Sequence, residues 1–167
     1  MSEGKKNNLF VQWIINSVYG KKKDAPSQKR ILTEEDFKGA GVYYYEKNID
    51  KLATPNPEWK KRATTIVKEG NSGKRIFKHN YVNRPVKLIE EPKNPNDPNA
   101  VAIIIAGELV GYISREDNVK VKYILNNREI ISLSSFIGGG EYKIVHNDGT
   151  VFKDSKGNNV TVRIKYI

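Results

Sequence analysis

The hydrophobic pattern of the chain predicts short strands separated by turns. Val86–Ile89 and Ala100–Ala106 are apolar runs rich in Val and Ile, bounded by turn-forming residues as strands are. Gly107 and Glu108 separate the second run from Leu109–Ile113, and a gap of two residues predicts a tight hairpin. These three runs predict the centre of a sheet.

Similar patterns predict strands on either side of this centre. Phe37–Tyr45 is expected to be the first strand, in which Tyr43 and Tyr45 share one face and Tyr44 lies on the other, so that at least one tyrosine is exposed. The remaining strands are expected at Lys74–Tyr81, Arg128–Phe136, Glu141–His146 and Val160–Ile167, with turns at 138–140 and 147–159.

Two or three helices are expected between the strands. One is short, at Glu46–Ala53, and a second begins with an Asn56 cap before Pro57 and ends at Gly70. A third is expected over 115–126, with Val119, Tyr123 and Ile124 on one face. Six or seven strands with two or three helices predict a mainly β fold with α-helices, built as a partly open barrel.

The N-terminal part of the chain has a different pattern. Leu9–Tyr19 is mostly apolar and predicts a helix, and Lys21–Arg30 predicts a basic, solvated linker. We therefore divide the chain into residues 1–32, an N-terminal helix plus linker, and residues 33–167, the main domain. The helix is expected to pack against the rest of the chain or against a second copy, giving a homo-oligomer. A membrane-surface helix would need a more strongly charged opposite face.

The net charge of the chain indicates which classes of molecule it would attract. The 167 residues carry a formal net charge of +10 and contain no cysteine, which excludes disulfides and thiolate metal sites and fits a cytoplasmic location. Residues 37–83 alone carry ten basic and four acidic groups. Such a field favours nucleic acid or an anionic membrane surface, although many basic proteins have no specific polyanionic partner.

Chemistry typical of enzymes is missing from the sequence. The two histidines, His79 and His146, have no second histidine or cysteine at ligand spacing, and Gly70–Arg75 lacks the glycine spacing and the Ser or Thr of a phosphate-binding loop. Glu90 and Glu91 are adjacent, so on a strand they face opposite ways. No apolar run is long enough to cross a membrane. We expect a binding module without catalytic activity, cofactor or metal, and without a membrane partner.

A proline-punctuated loop connects the first two apolar runs. Three prolines at a spacing of three stiffen this segment, and short amide and carboxylate side chains lie between them. Such a loop could present polar groups to a ligand or could simply brace itself. The residues concerned are Pro92, Asn94, Pro95, Asn96, Asp97, Pro98 and Asn99.

The segment from Leu88 to Ile113 resembles the core signature of the HIRAN domain. The similarity lies in Glu91-Pro92, in the run from Asn94 to Ala100, and in Val110-Gly111-Tyr112-Ile113. The resemblance implies a small OB-like β-barrel that, in its best-studied member, grips the 3′ end of single-stranded DNA. It also implies a role in DNA repair or replication-fork processing.

The resemblance further implies a set of binding residues. Asp97 matches the acceptor of the terminal hydroxyl, Asn94 matches a loop asparagine, and Arg115 matches a basic phosphate ligand. Tyr44, the first of the aromatic pair Tyr44–Tyr45, matches a stacking residue, and Phe136 aligns loosely with a later aromatic residue.

Three positions depart from the family pattern. Tyr43 stands where the best-studied member has arginine, Lys93 stands in place of an asparagine, and Asn96 stands where the family commonly has an aromatic residue. Because these positions supply stacking or charge, the alternative is a barrel that has lost DNA-end recognition. In that case the protein would serve protein interaction or self-assembly, with Leu9–Tyr19 burying itself against a second chain.

Overall fold

The computed structural model describes residues 30–167, and Leu32–Ile167 forms one compact unit. The predicted helix at Leu9–Tyr19, the self-association predicted through it, and all but the last residue of the predicted linker Lys21–Arg30 lie outside the described residues. The division of the chain after residue 32 stays a prediction.

The described residues form nine strands and three α-helices. The strands are β1 (Thr33–Ala40), β2 (Ala53–Pro55), β3 (Arg75–Phe77), β4 (His79–Tyr81), β5 (Val86–Glu90), β6 (Val101–Ile105), β7 (Glu108–Ile113), β8 (Ile130–Val145) and β9 (Val151–Tyr166). The helices are α1 (Glu46–Leu52), α2 (Ala63–Lys68) and α3 (Asn118–Asn127), and short 3-10 helices cover Val42–Tyr45 and Pro57–Lys60.

Seven strands form one antiparallel sheet in the order β3-β8-β9-β1-β7-β6-β5, and β2 pairs with β4 in a small second sheet. The strand β5 at one end approaches β8, so the sheet curls back on itself without closing. The predicted mainly β, OB-like and partly open barrel with helices is confirmed.

The main core lies inside this curl. Phe37, Ile103 and Ile164 are buried on β1, β6 and β9, and the consecutive residues Val101–Ile103 of β6 are all buried, so both faces of this strand are covered. Helix α3 covers the core with Val121 and Ile124. Burying such side chains stabilises the fold by roughly 1.5–3 kcal/mol each.

The predicted face of helix α3 is partly wrong. Ile124 is buried as expected, but Val119 and Tyr123 are exposed. The buried face instead repeats every three residues through Asn118, Val121 and Ile124. Because Val119 and Tyr123 are four residues apart they do share a face, and that face is directed to solvent.

The first strand begins and ends about four residues earlier than predicted. It ends at Ala40, and Gly41, with φ of +68°, then turns the chain into a 3-10 helix. The expected strand alternation of Tyr43, Tyr44 and Tyr45 is therefore wrong. Tyr43 and Tyr44 are both exposed and Tyr45 is half-buried, which confirms that at least one tyrosine is exposed.

The C-terminal strands are longer than the sequence predicts. Arg128–Phe136 and Glu141–His146 correspond to one strand, β8, which pairs with β9 in a long hairpin, and the expected turns at 138–140 and 147–159 lie mostly within strands. A register shift between Gly138 and Gly140 accommodates the glycines. A Cβ on Gly139 would lie 2.4 Å from the carbonyl oxygen of Gly157, so this glycine permits a close approach of the two strands.

Two other segments each contain two elements where the sequence predicts one. Asn56 caps a helix as predicted, accepting a hydrogen bond at 3.0 Å from the backbone N–H of Glu58, but this 3-10 helix ends at Lys60 before α2 begins at Ala63. The strand predicted over Lys74–Tyr81 is two strands, β3 and β4, whose partners belong to different sheets.

A carboxylate on β1 connects three elements of the domain. The hydroxyl of Tyr166 on β9 donates to Glu35 at 2.5 Å, and Lys120 of α3 donates to the same carboxylate. These hydrogen bonds, with Lys120 the larger contribution, lower the pKa of Glu35 below its ordinary value of 4.5. Glu35 thereby links β1, β9 and α3.

We predict that Glu35→Gln lowers the free energy of unfolding at neutral pH by up to about 1 kcal/mol. Because the folded state depresses this pKa, the carboxylate stabilises the protein fully above pH 4.5 and loses its effect as the pH falls through the folded-state pKa. The variant should therefore lose less stability than the wild type between neutral and acid pH in urea titrations. Glu116→Gln serves as the control, and an acid dependence of Glu35→Gln equal to that of the wild type would contradict the assignment.

Candidate functional site

The proline-punctuated loop holds its shape with its own side chains. The backbone N–H of Glu91 donates to the carbonyl of Ala100 at 2.9 Å and closes the loop at its base. Asn94 Oδ1 accepts from the N–H of Asn96 at 3.0 Å, and Asp97 Oδ1 accepts from the N–H of Asn99 at 2.8 Å. Two of the expected polar residues thus brace the loop, as one interpretation of the sequence proposed, and they also hold it in one shape.

A tyrosine of β7 supports the start of this loop. The hydroxyl of Tyr112 donates to Glu91 Oε2 at 3.2 Å, and the amide of Asn94 donates to the same oxygen at 2.8 Å. The ring of Tyr112 lies 6.1 Å from that of Tyr45. Burial first, and then the hydroxyl of Tyr45, raise the pKa of Tyr112 to about 12, so it stays a neutral donor at physiological pH.

The position of Tyr112 depends on its neighbour Gly111. A Cβ at Gly111 would lie 2.9 Å from the carbonyl oxygen of Ala40 and 3.3 Å from Val42 Cγ2, and the backbone has φ of +153°. Only glycine lets β7 approach the end of β1 so closely. Tyr112 of β7 and the Ala40–Gly41 segment consequently form adjacent walls of one cleft.

Asp97 lies in this cleft with a buried partner. Its Oδ2 accepts a hydrogen bond at 2.7 Å from the side-chain amide of Asn118, which is 2 % exposed at the first residue of α3. Its side chain is 19 % exposed, and Arg115 Nε lies 3.7 Å from Oδ2. The carboxylate is therefore fixed from behind and accessible from one side.

Arg115 lies beside the opening of the cleft. Its side chain is 78 % exposed, and Nη2 donates to the carbonyl oxygen of Asn96 at 3.2 Å. Most of the guanidinium donors face solvent, where they could bind an anion.

Two exposed tyrosines come shortly after the cleft residue Gly41 in the chain. Tyr43 and Tyr44 are 75 % and 83 % exposed, and their rings make an edge contact at 5.8 Å between centroids. The N–H of Tyr44 donates to the carbonyl of Gly41 at 3.0 Å, which closes the turn that presents both rings. Large exposed aromatic rings next to a polar cleft can stack with planar groups.

The cleft has a volume of about 340 Å³, and a second cleft of about 560 Å³ is lined by residues 91–96 of the same loop and by Tyr112. They share Asn94, Asn96 and Tyr112. Of the residues expected from the sequence, Asn94, Asn96, Asp97 and Arg115 line the first cleft, and Lys93 lines the second. Tyr43 and Tyr44 line neither cleft and come shortly after the wall residue Gly41 in the chain.

Phe136 lines neither of these two clefts. It pairs with Thr161 of β9, which in turn pairs with Lys38 of β1, so two strand spacings, about 10 Å, lie between Phe136 and β1. The guanidinium carbon of Arg163 lies over its exposed ring, 5.0 Å from the ring centroid.

Sequence reasoning missed Tyr112 and Asn118. Regular alternation would place Tyr112 on the same face as the buried Val110, and only the register shift between β6 and β7 lets Val110 and Ile113 both be buried while Tyr112 is half-buried, so alternation was not a usable signal. Asn118 gave no signal either, because a polar residue at a helix start is ordinarily solvated.

Among residues 30–167, no group of three or more acidic or histidine side chains is arranged to hold a metal ion. In the same part of the chain no helix has the length and apolar character required to span a membrane.

A model of the HIRAN domain matches residues 34–142, about two-thirds of the chain. The chain belongs to the HIRAN domain family. HIRAN domains are generally DNA-binding modules, which is compatible with a protein that is not an enzyme. The matched range contains the proline-punctuated loop, the cleft and the helix that carries Asn118.

The crystal structure of the HIRAN domain of human HLTF superposes with a TM-score of 0.39 at 16 % sequence identity, over 83 % of this chain and 80 % of that chain. No curated protein sequence matches the chain significantly.

We predict that Asn118→Ala lowers the free energy of unfolding by about 1–3 kcal/mol, because it leaves Asp97 Oδ2 without its buried donor. Urea unfolding at neutral pH measures this change. Asn127→Ala is the matched control, since its amide donates to the carbonyl of Tyr123 on the exposed side of the same helix and its loss should cost less than about 0.5 kcal/mol. Equal effects of the two substitutions would show that the Asn118 amide is not specifically required.

Proposed function

We propose that this HIRAN domain binds single-stranded DNA at its free 3′-OH end, without hydrolysing it. The observation that carries the proposal is the carboxylate of Asp97, held by Asn118 in a small cleft beside an exposed arginine. Two exposed tyrosines, Tyr43 and Tyr44, follow the cleft residue Gly41 in the chain. Each group has a counterpart in the end of a DNA strand, which offers a hydroxyl donor, phosphates and planar bases.

The carboxylate supplies selectivity for the end of the strand. An ionised carboxylate only accepts hydrogen bonds and offers about four acceptor sites. In Asp97 each oxygen already accepts one protein donor, and this leaves room for another donor from the exposed side. A terminal 3′-OH is such a donor, whereas an internal phosphodiester or a 3′-phosphate brings negative charge and is repelled.

Arg115 and Lys93 supply attraction for the phosphates. Arg115 stands at the opening of the cleft, and the exposed Lys93 lines the neighbouring cleft. The fork of the guanidinium can bind two oxygens of one phosphate. A strand whose last hydroxyl lies at Asp97 would place its last phosphates near these two cations.

Tyr44 and Tyr43 supply surfaces for the bases. Stacking of a base on an aromatic ring contributes roughly 1–3 kcal/mol. Because Asn96 cannot stack as an aromatic residue would, the exposed ring of Tyr43 is the second stacking surface of this chain. Free 3′ ends occur wherever strands are broken or extended, and so the proposal places the protein in DNA repair or replication-fork processing.

Self-assembly through Leu9–Tyr19 is the other function that we keep as a prediction. In that alternative the barrel has lost DNA-end recognition and serves protein interaction or self-assembly. The geometry of the cleft favours end binding as the main function.

We predict that a single strand ending in a 3′-OH binds more tightly than the same strand ending in a 3′-phosphate. Asp97→Asn should weaken binding of the 3′-OH strand about tenfold, because it removes a charge-assisted hydrogen bond, and should leave or improve binding of the 3′-phosphate strand. Fluorescence anisotropy with the paired oligonucleotides measures both affinities.

Equal affinity of the wild type for the two strands would remove the end-specific part of the proposal. Thermal unfolding of Asp97→Asn is the accompanying control, since the side chain also braces the loop. A variant that unfolds near the wild-type temperature and still binds the 3′-OH strand with the affinity and preference of the wild type would exclude Asp97 as the acceptor.

We also predict a shallow dependence of affinity on salt. Each phosphate neutralised on a single strand adds about 0.7 to the slope of log K against log salt, and a cleft that holds the end of a strand contacts few phosphates. Arg115→Ala should weaken all strands and reduce the slope by about 0.7.

Arg128→Ala is the control for charge, because Arg128 lies at the end of α3 over the ring of Tyr123. A steep wild-type slope that Arg115→Ala and Arg128→Ala change by the same amount would mean diffuse attraction to the basic surface rather than a defined phosphate contact.

A further inference from the structure

A second, smaller core supports a separate part of the domain surface. Ile66 of α2, Ile76 of β3 and Val145 of β8 are buried together, with Ala63 and Val67 packed against them. This cluster joins α2 and β3 to the far end of the β8–β9 hairpin. We call the surface over this cluster the hairpin lobe.

A buried lysine keeps the hairpin lobe rigid. Lys143 of β8 is 7 % exposed, and its Nζ donates to the carbonyl oxygens of Trp59 at 2.7 Å and of Lys61 at 3.1 Å. The ammonium also lies 5.5 Å from the ring centroid of Trp59. These contacts attach the 3-10 helix Pro57–Lys60 to the hairpin, so the surface beside them has a defined shape.

This lobe borders a cleft of about 710 Å³, larger than either cleft beside the proline-punctuated loop. Its walls come from β3, β4, the segment around Asn56 and the glycines of β8. Basic and aromatic side chains line it together with amides, among them Lys74, Arg75, Phe77, Tyr81, Asn56 and Asn71.

The charges of this cleft are predominantly positive. The acid in its wall, Glu58, is paired with Lys61 at 2.8 Å, and Lys61 also pairs with Glu69 outside the cleft. Lys74 donates only to the neutral amide of Asn71, at 2.9 Å, and the guanidinium of Arg75 stacks on the ring of Tyr142 at 4.9 Å. In the described part of the chain neither cation is paired with a carboxylate, so both are available to a polyanion.

We propose that this cleft is a second nucleic-acid site, which binds the phosphodiester backbone of the strand whose 3′ end lies at Asp97. The proposal rests on the proposed function for its ligand. Lys74 and Arg75 contact phosphates, and the half-buried rings of Phe77 and Tyr81 offer surfaces for a base.

The register of the sheet places the two sites close enough for one DNA strand to reach both. Gly138 lines the cleft of about 710 Å³ at the hairpin lobe and pairs with Asn159 of β9. On the other side of β9, Gly39 lies against Val160 and leads directly to Ala40 in the wall of the first cleft. The two walls are thus two strand spacings apart, about 10 Å. OB-type folds cover roughly 4–16 nucleotides, more than the first cleft alone can hold.

The test is the effect of Lys74→Gln combined with Arg75→Gln on strands of two lengths, a trinucleotide and a strand of about ten nucleotides. Both end in 3′-OH, and fluorescence anisotropy measures the affinities. The wild type should bind the longer strand more tightly. The double variant should bind the trinucleotide like the wild type, bind the longer strand about tenfold more weakly, and lose about 1.4 from its salt slope, the value for two phosphates.

The matched control is Lys87→Gln combined with Arg128→Gln, which removes the same charge from exposed positions on β5 and at the end of α3. An equal loss in the control, an equal loss for both lengths, or no loss for the longer strand would each overturn the proposal. A ten-nucleotide strand ending in 3′-phosphate separates the two sites. If it still shows the length-dependent loss, the second site stands even where end recognition at Asp97 fails.

Discussion

The site depends on one close approach between backbones. At Gly111, β7 comes so near to the end of β1 that a single added Cβ would overlap the carbonyl oxygen of Ala40. This contact places Tyr112 opposite the Ala40–Gly41 segment, and Gly41 then turns the chain so that Tyr43 and Tyr44 face solvent. The proline-punctuated loop is attached to the same point through Tyr112 and Glu91. A wider separation of β1 and β7 would move the walls of the cleft apart and separate the tyrosines from Asp97.

Carboxylates in this domain are used mainly to hold elements together. Glu35 connects β1 to β9 and α3, Glu91 holds Tyr112 and Asn94, and Asp36 lies in a two-point ion pair with Arg163 that lowers the pKa of the carboxyl. Asp97 differs because its donors come from behind and its other side faces the cleft. In the hairpin lobe the acids also lie in ion pairs, with Glu58 and Glu69 sharing Lys61, while among the described residues Lys74 has no carboxylate partner. The basic groups of residues 37–83 that have no carboxylate partner, such as Lys74, therefore lie among acids that already have partners.

Local patterns predicted the fold class and the loop because both depend on neighbours in sequence. The apolar runs of β5, β6 and β7 and the Asn56 cap were correct, since short-range alternation and capping need no distant partner. The first strand was predicted with the wrong bounds, Phe37–Tyr45, because Gly41 admits a left-handed turn that the pattern of apolar residues does not reveal. The C-terminal strands were predicted as too short because pairing along the hairpin outweighs the weak strand preference of glycine and asparagine.

The sequence by itself determined the chemistry of the site: a stiff loop with amides and a carboxylate, an arginine after β7 and aromatic residues after β1. Only the tertiary structure decided which of these groups meet. It joined Asp97 to Asn118, placed Arg115 at the cleft, added Tyr112 and left Phe136 about two strands away from β1. The physical reason is that chain distance sets the side chains available, whereas strand register and the absence of a Cβ at Gly111 set which of them lie within hydrogen-bonding distance.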